Sequence, residues 1–246
     1  MDLHVLGIVA IAGLVAGLIN GVVGGASLMT FPILVATGLS PVNAAVTNIV
    51  GMGGGNLFAL VPHRHSKRPL FRQWARPAAI TGAGALVGAF LLLASPDKVF
   101  ESIVPVLVAL ATVTMLLPQP VLEPLGVGHP HTNLRLGVSG IYSGYFGSGM
   151  GVISMAVLAR DGRLGMREVS VVKNLVIASA NFTASAFYLF TGHVEFSRAA
   201  VLFASSGLGG YLSGRVIDRS NAEVLRWLVV VIGAGSSLYL TLRLLQ

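Results

Sequence analysis

The sequence predicts an all-α integral membrane protein, a polytopic helical bundle of two inverted repeats, each with a Gly-rich broken or re-entrant helix. Three observations lead there. The chain is 54% hydrophobic and only 10% charged, whereas soluble domains carry about 25% charged residues. Long apolar runs alternate with turn signals, which favours spanning helices over the roughly 10-residue alternating strands of a membrane barrel. The halves also repeat. Gly17, Gly21 and Gly24 match Gly140, Gly144 and Gly147 at an offset of 123. Beyond an insertion near Asp161 the offset is 126, pairing Asn48 with Asn174, Arg72 with Arg198, Gly84 with Gly210 and Gly88 with Gly214. One offset held across several helices marks a duplicated unit of five segments.

A spanning helix needs about 20 mostly apolar residues. The first repeat, residues 1–117, supplies segments near 3–23, 41–61, 77–94 and 99–117, with a short one near 26–37. The N-terminus lacks a basic leader region and reads as a retained first helix. Residues 118–133 hold four prolines and two histidines and read as a cytoplasmic connector. The second repeat, residues 134–246, supplies segments near 134–146, 169–190, 199–214 and 224–242, with a short one near 150–159.

Charge sets the orientation. The loop HRHSKRPLFRQWAR carries Arg64, Lys67, Arg68, Arg72 and Arg76 and no acid, whereas its counterpart in the second repeat, TGHVEFSR, is nearly neutral. In the second repeat the bases Arg160, Arg163 and Arg167 instead follow the short segment. Placing both basic loops inside requires the repeats to be inverted, and both termini then fall outside. This also accounts for the net charge of +7 without nucleic acid as a partner. The chain has no cysteine, so disulfides and thiolate metal sites are excluded.

Chemistry concentrates at the two breaks, NGVVGGAS (residues 20–27) and SGYFGSGMG (residues 143–151). Unwound backbone at membrane depth is tolerated where it lines a cavity. The short helix after each break directs free N–H groups and a positive dipole end towards it, which suits an anion. The candidate substrate-binding residues are Asn20, Gly24, Gly25, Ser27, Thr47, Asn48, Ser143, Gly147, Ser148, Gly149, Lys173 and Asn174. Against this stands close helix packing, which also uses glycines and which fits Gly13, Gly17, Gly21, Gly84 and Gly88 better. Lys173 has two readings, an anion ligand or a side chain that snorkels to the inner surface. Asn56 and Asn181 are further polar positions inside the third segments.

All nine acids, Asp2, Asp97, Glu101, Glu123, Asp161, Glu168, Glu195, Asp218 and Glu223, fall in loops or near segment ends. A cation transporter or carboxylate proton relay keeps one inside. The histidines lie in loops or at the N-terminus, and pairs such as His63/His65 lack carboxylate or cysteine support for a metal. No metal or cofactor is expected. The expected partners are a small anion and membrane lipid, with a homo-oligomer left open.

The run P-x-L-x-x-x-G-L-S-P-x-x-A-x-x-T-N from Pro32 to Asn48, the Lys173-Asn174 pair and the two Gly-rich segments together resemble the TauE/SafE sulfite exporter family of membrane permeases. The likeness covers nearly the whole chain. It implies alternating-access movement of small sulfur-containing anions such as sulfite or organosulfonates, in the bacterial inner membrane. The second repeat departs from the first at SMAVLARDG, which has no counterpart of Pro32. The alternatives are a transporter or channel for another small anion, and an intramembrane serine protease using Ser139 in G-V-S-G with His193 downstream.

Overall fold

A computed structural model describes residues 3–22, 24–63, 68–116, 131–159, 164–216, 227 and 229–238. All regular structure among these residues is helical. The helices are α1 (Leu3–Val22), α2 (Ser27–Ala36), α3 (Pro41–Ala59), α4 (Arg68–Ala94), α5 (Asp97–Leu116), α6 (Thr132–Tyr145), α7 (Met150–Ala159), α8 (Met166–Tyr188), α9 (Phe196–Val216) and α10 (Val229–Leu238). A single 3-10 turn, Val61–His63, follows α3. Among the described residues, three stretches are long and apolar enough to cross a membrane: Leu3–Gly21, Pro41–His63 and Arg68–Ala94.

Local chemistry sets several boundaries. Ser40 caps α3 by accepting from the Asn43 N–H, and Pro41 occupies the first turn, where its missing N–H costs nothing. Glu168 folds back onto the Gly165 N–H at the start of α8, closing half of a capping box. The two short helices are of equal length, ten residues each. Pro32 inside α2 and its absence from α7 therefore leave the segment length unchanged.

One boundary corrects the sequence reading. The basic stretch read as a loop before residue 77 is, from Arg68 onward, the first turns of α4. Leu70, Trp74 and Ala78 recur every four residues on its buried side. Arg68, Arg72 and Arg76 recur on the exposed side. That is an amphipathic helical period, and it carries the helix through Pro77. The charge assignments at Arg64, Lys67, Arg160, Asp161 and Arg163, and the connector up to residue 130, lie outside the described residues.

Small residues govern the packing. In α1, Gly17 lies against the backbone of Ser206, and Gly209 of α9 lies against Leu14 and Leu18. In α4, Gly84 and Gly88 meet the carbonyls of Gly137 and Ile141, while Gly140 and Gly144 of α6 meet Thr81 and Ala85. A Cβ at any of these positions would collide with backbone, so the glycines are what let the helices touch.

The registers give the relative directions. Along α1 and α9, Gly13 meets Ser205 and Gly21 meets Ser213, so the two run parallel. Gly51 and Phe58 of α3 meet Leu202 and Gly207, so α3 runs parallel to them. Likewise α4 runs parallel to α6, and also to α8, where Ser179 bonds the Ala78 carbonyl and Gly82 meets Thr183. The two triples run in opposite directions. The start of α3 lies beside the residues that follow α8, through Asn43 with His193 and Thr47 with Glu195.

Candidate functional site

The site begins where α1 stops. Gly24 and Gly25 take positive φ, +85° and +79°, a region open to glycine and costly for other residues. The second break repeats this at Gly147 and Gly149, with φ of +76° and +84°. The two breaks touch. A Cβ on Gly24 would lie 2.8 Å from the Gly151 Cα, and one on Gly151 would lie 2.6 Å from the Gly24 Cα. Hydrogen bonds join them as well. The Ser148 hydroxyl donates to the Ser27 carbonyl at 3.2 Å, and the Ser27 hydroxyl donates to the Gly147 carbonyl at 3.4 Å.

Beside this junction lies a small polar cavity between α1, α2, α3, α7 and α8. It is lined by Asn20, Ser27, Asn48, Asn56, Gly147, Gly151 and Asn181, with Ile49, Met52, Met150 and Ile177 as its apolar walls. About 10 Å³ is open to the centre of a water molecule, room for about one water. The cavity is therefore small, with its polar groups drawn close together.

The lining amides are sorted by their neighbours. The Asn48 Oδ1 accepts from the Thr30 hydroxyl at 2.6 Å, and its Nδ2 donates to the Ser27 carbonyl at 3.3 Å. The Asn56 Oδ1 accepts from the Asn20 Nδ2 at 2.9 Å, and the Asn56 Nδ2 donates to the Met52 carbonyl at 3.3 Å. Both amide oxygens are thus committed to protein donors. Each Nδ2 carries two hydrogens and has donated one. What remains is one N–H on each of Asn20, Asn48 and Asn56, beside the Asn20 Oδ1.

Of the twelve residues selected from the sequence, Asn20, Ser27, Asn48 and Gly147 line the cavity. Gly24, Gly25, Ser148 and Gly149 build the junction beside it. Thr47 is fully buried but faces elsewhere, accepting from the Glu195 N–H at 3.1 Å. The Ser143 hydroxyl and the Asn174 Oδ1 are buried without a hydrogen-bond partner among the described residues. The Asn174 Nδ2 reaches the Gly21 carbonyl only at 3.5 Å.

Lys173 departs from one of the two readings offered by the sequence, the snorkel to the inner surface. It is fully buried, so it does not snorkel. Its Nζ donates to the carbonyls of Asn20 at 2.8 Å and Gly21 at 3.4 Å. These are the last carbonyls of α1, the negative end of that helix, where a cation is stabilised. Ser170 adds a bond to the Gly21 carbonyl at 3.2 Å. Lys173 thus caps the first break and stands one residue behind the cavity wall at Asn20.

The sequence selection passed over Asn56 and Asn181 as ligands, although both were visible as polar positions inside the third segments. Asn181 is 5% exposed, lines the cavity and makes no hydrogen bond to a described residue. Ser139 and His193 do not form a dyad. The Ser139 hydroxyl donates to the Leu136 carbonyl, and His193 pairs with Asn43. No group of three or more His, Cys, Asp or Glu side chains suited to a metal occurs among the described residues.

With this geometry in place, comparison with known proteins identifies the chain. The family model for the sulfite exporter TauE/SafE matches residues 9–240. The chain belongs to the TauE/SafE family. It is 25% identical over 236 residues to "Probable membrane transporter protein YfcA" of Escherichia coli strain K12, covering 94% of this chain and 88% of the relative. It is also 25% identical over 252 residues to "Probable membrane transporter protein ORF9" of a Sinorhizobium species, covering 98% and 93%. A "Probable membrane transporter protein" of Haemophilus influenzae gives 25% identity over 236 residues, covering 94% and 92%. Family and relatives mark this chain as a membrane transporter.

Proposed function

We propose that this family member moves a small sulfur-containing anion, such as sulfite or an organosulfonate, across the bacterial inner membrane by alternating access. The observation that carries the reading is the meeting of the two glycine breaks beside a small, amide-lined cavity. Its amides offer uncommitted N–H donors, the Asn48 and Asn56 oxygens being held by protein donors, and no acid among the described residues lines it. Donors of this kind hold an oxyanion and repel a cation.

The directions of the helices support inversion of the repeats. By the sequence offsets α1 corresponds to α6, α3 to α8 and α4 to α9. Each pair has one member in each of the two opposed triples. Inverted repeats that meet at a central site allow that site to open to either side by rocking of one unit against the other.

The test is uptake by purified protein in liposomes, offered sulfite, sulfate, thiosulfate and taurine. Saturable sulfite or taurine flux is expected, and its absence with a different anion carried would reassign the substrate. Orientation has its own check. Both Arg68 and Asp97 are exposed, and the native chain has no cysteine. A cysteine at Arg68 is expected to react only with a reagent on the cytoplasmic side, and one at Asp97 only from outside. Reaction of both from one side would exclude the inverted arrangement.

A further inference from the structure

We propose that the polar lining of the cavity between α1, α2, α3, α7 and α8, which must widen from its present single-water size to admit a ligand, is matched to a singly charged oxyanion, with Lys173 as its countercharge and Asn181 as a direct ligand. The inference rests on the anion-transporter reading and narrows its substrate class to monoanions. Three observations carry it.

The first is the charge inventory. Lys173 is the one charged side chain among the described buried residues. Its Nζ is held at 2.8 Å by the Asn20 carbonyl, and the Asn20 side chain lines the cavity. No carboxylate among the described residues approaches to neutralise it. When protonated, Lys173 places one buried positive charge, offset in part by the end of the α1 dipole, next to a space lined by neutral amides.

The second is the uncommitted amide. Asn181 reaches the cavity from α8, faces the α1 and α3 amides, and is 95% buried with nothing described to bond. Buried polar groups ordinarily find partners. An uncommitted amide at this position supplies two more N–H donors, or turns its oxygen towards a ligand O–H. It therefore accommodates an oxyanion that retains a proton as readily as a sulfonate.

The third is the physics of the ion. The cost of taking an ion out of water rises with the square of its charge, about fourfold from monoanion to dianion. Its attraction to one fixed cation only doubles. A site with a single buried cation and otherwise neutral donors thus discriminates against the dianion. The absence of a second cation among the described residues at the cavity is what sets the preference.

The probes are methanesulfonate, a monoanion, and sulfate, a dianion, titrated into the purified full chain by calorimetry at one pH and constant ionic strength. Methanesulfonate is expected to bind at least about tenfold tighter, a difference of 1.4 kcal/mol. Lys173→Gln should remove most of that binding. Because it also cuts the bonds to the end of α1, Asn181→Asp provides a second variant that leaves α1 untouched. The added carboxylate cancels the Lys173 charge, so methanesulfonate binding should be lost while thermal unfolding stays cooperative. Asn181→Ala should weaken it by about tenfold, the worth of one hydrogen bond to a charged group.

Sulfate binding as tight as methanesulfonate would overturn the charge matching, as would wild-type affinity in Asn181→Asp. If the wild-type chain binds neither probe nor sulfite, the anion-transporter reading itself falls, and this inference with it.

Discussion

Gly24→Ala is expected to unfold at a markedly lower temperature than the wild type and to carry no measurable flux. Two costs add at this residue. Its φ of +85° puts an L side chain in the left-handed region, at about 1–2 kcal/mol. Its new Cβ would also stand 2.8 Å from the Gly151 Cα, a backbone atom that cannot rotate aside. Overpacking of that kind costs about 1–3 kcal/mol. Gly151→Ala meets the same wall from the other side, 2.6 Å from the Gly24 Cα, without a positive φ. It should cost only the second amount.

Two further glycines separate the contributions. Gly38 has φ of +94° with nothing within 4 Å of a Cβ, and Gly7 has open space and no positive φ. Gly38→Ala should show the strain alone. Gly7→Ala should be neutral or stabilising by up to about 1 kcal/mol, the helix propensity difference. Thermal unfolding of the purified variants, with flux measured in parallel, gives the order Gly24 worst, then Gly151 and Gly38, then Gly7. A Gly24→Ala protein no less stable than Gly38→Ala would mean that the two breaks do not press on each other.

The double penalty at Gly24 also illustrates what the sequence made legible. Broken helices could be read from NGVVGGAS and SGYFGSGMG because clustered glycines weaken a helix where they fall, even inside an apolar run. Their correspondence could be read from a constant offset. The contact between Gly24 and Gly151 could not, because offset arithmetic pairs Gly24 with Gly147 and says nothing about how the two breaks pack. The start of α4 was legible in principle. Leu70, Trp74 and Ala78 keep a helical period, but the density of arginine and the presence of Pro77 pointed to a loop.

The amide network shows a different limit. Asn20, Asn48, Asn56 and Asn181 were each visible as polar residues in apolar surroundings. Which oxygen each amide would surrender to a neighbour depends on distances of a few tenths of an ångström. Lys173 is the clearest case. Sequence offered an inner surface or an anion as its partner, and the structure gives it the carbonyl end of α1, a partner created only when the helix stops.

Asn48→Ala is expected to weaken substrate binding by ten- to a hundredfold, whereas Asn174→Ala should change it by no more than about threefold. By sequence these two are symmetry mates, and equal effects would be expected of them. The geometry separates them. Asn48 lines the cavity and is held at both ends, by the Thr30 hydroxyl at 2.6 Å and the Ser27 carbonyl at 3.3 Å. Held at both ends, the amide cannot turn freely, and its second N–H is left for a ligand. A hydrogen bond from such a donor to an anion contributes about 1.5–3 kcal/mol, which at 1.4 kcal/mol per tenfold gives the stated range.

Asn174 does not line the cavity, and its amide makes one long contact with the Gly21 carbonyl at 3.5 Å. Removing it should take little from a ligand held, as proposed, by the cavity amides Asn20, Asn48 and Asn181. Asn48→Asp is expected to be worse than alanine, because it presents a negative charge to an anion and loses the donor to Ser27. Thr30→Val is the supporting test. It releases the Asn48 oxygen while leaving the amide in place, so affinity should fall less than in Asn48→Ala. Titration of sulfite into purified, cooperatively unfolding variants provides the measurement. Equal losses in the two alanine variants would put the substrate on the symmetry axis between Asn48 and Asn174, away from the amide-lined cavity.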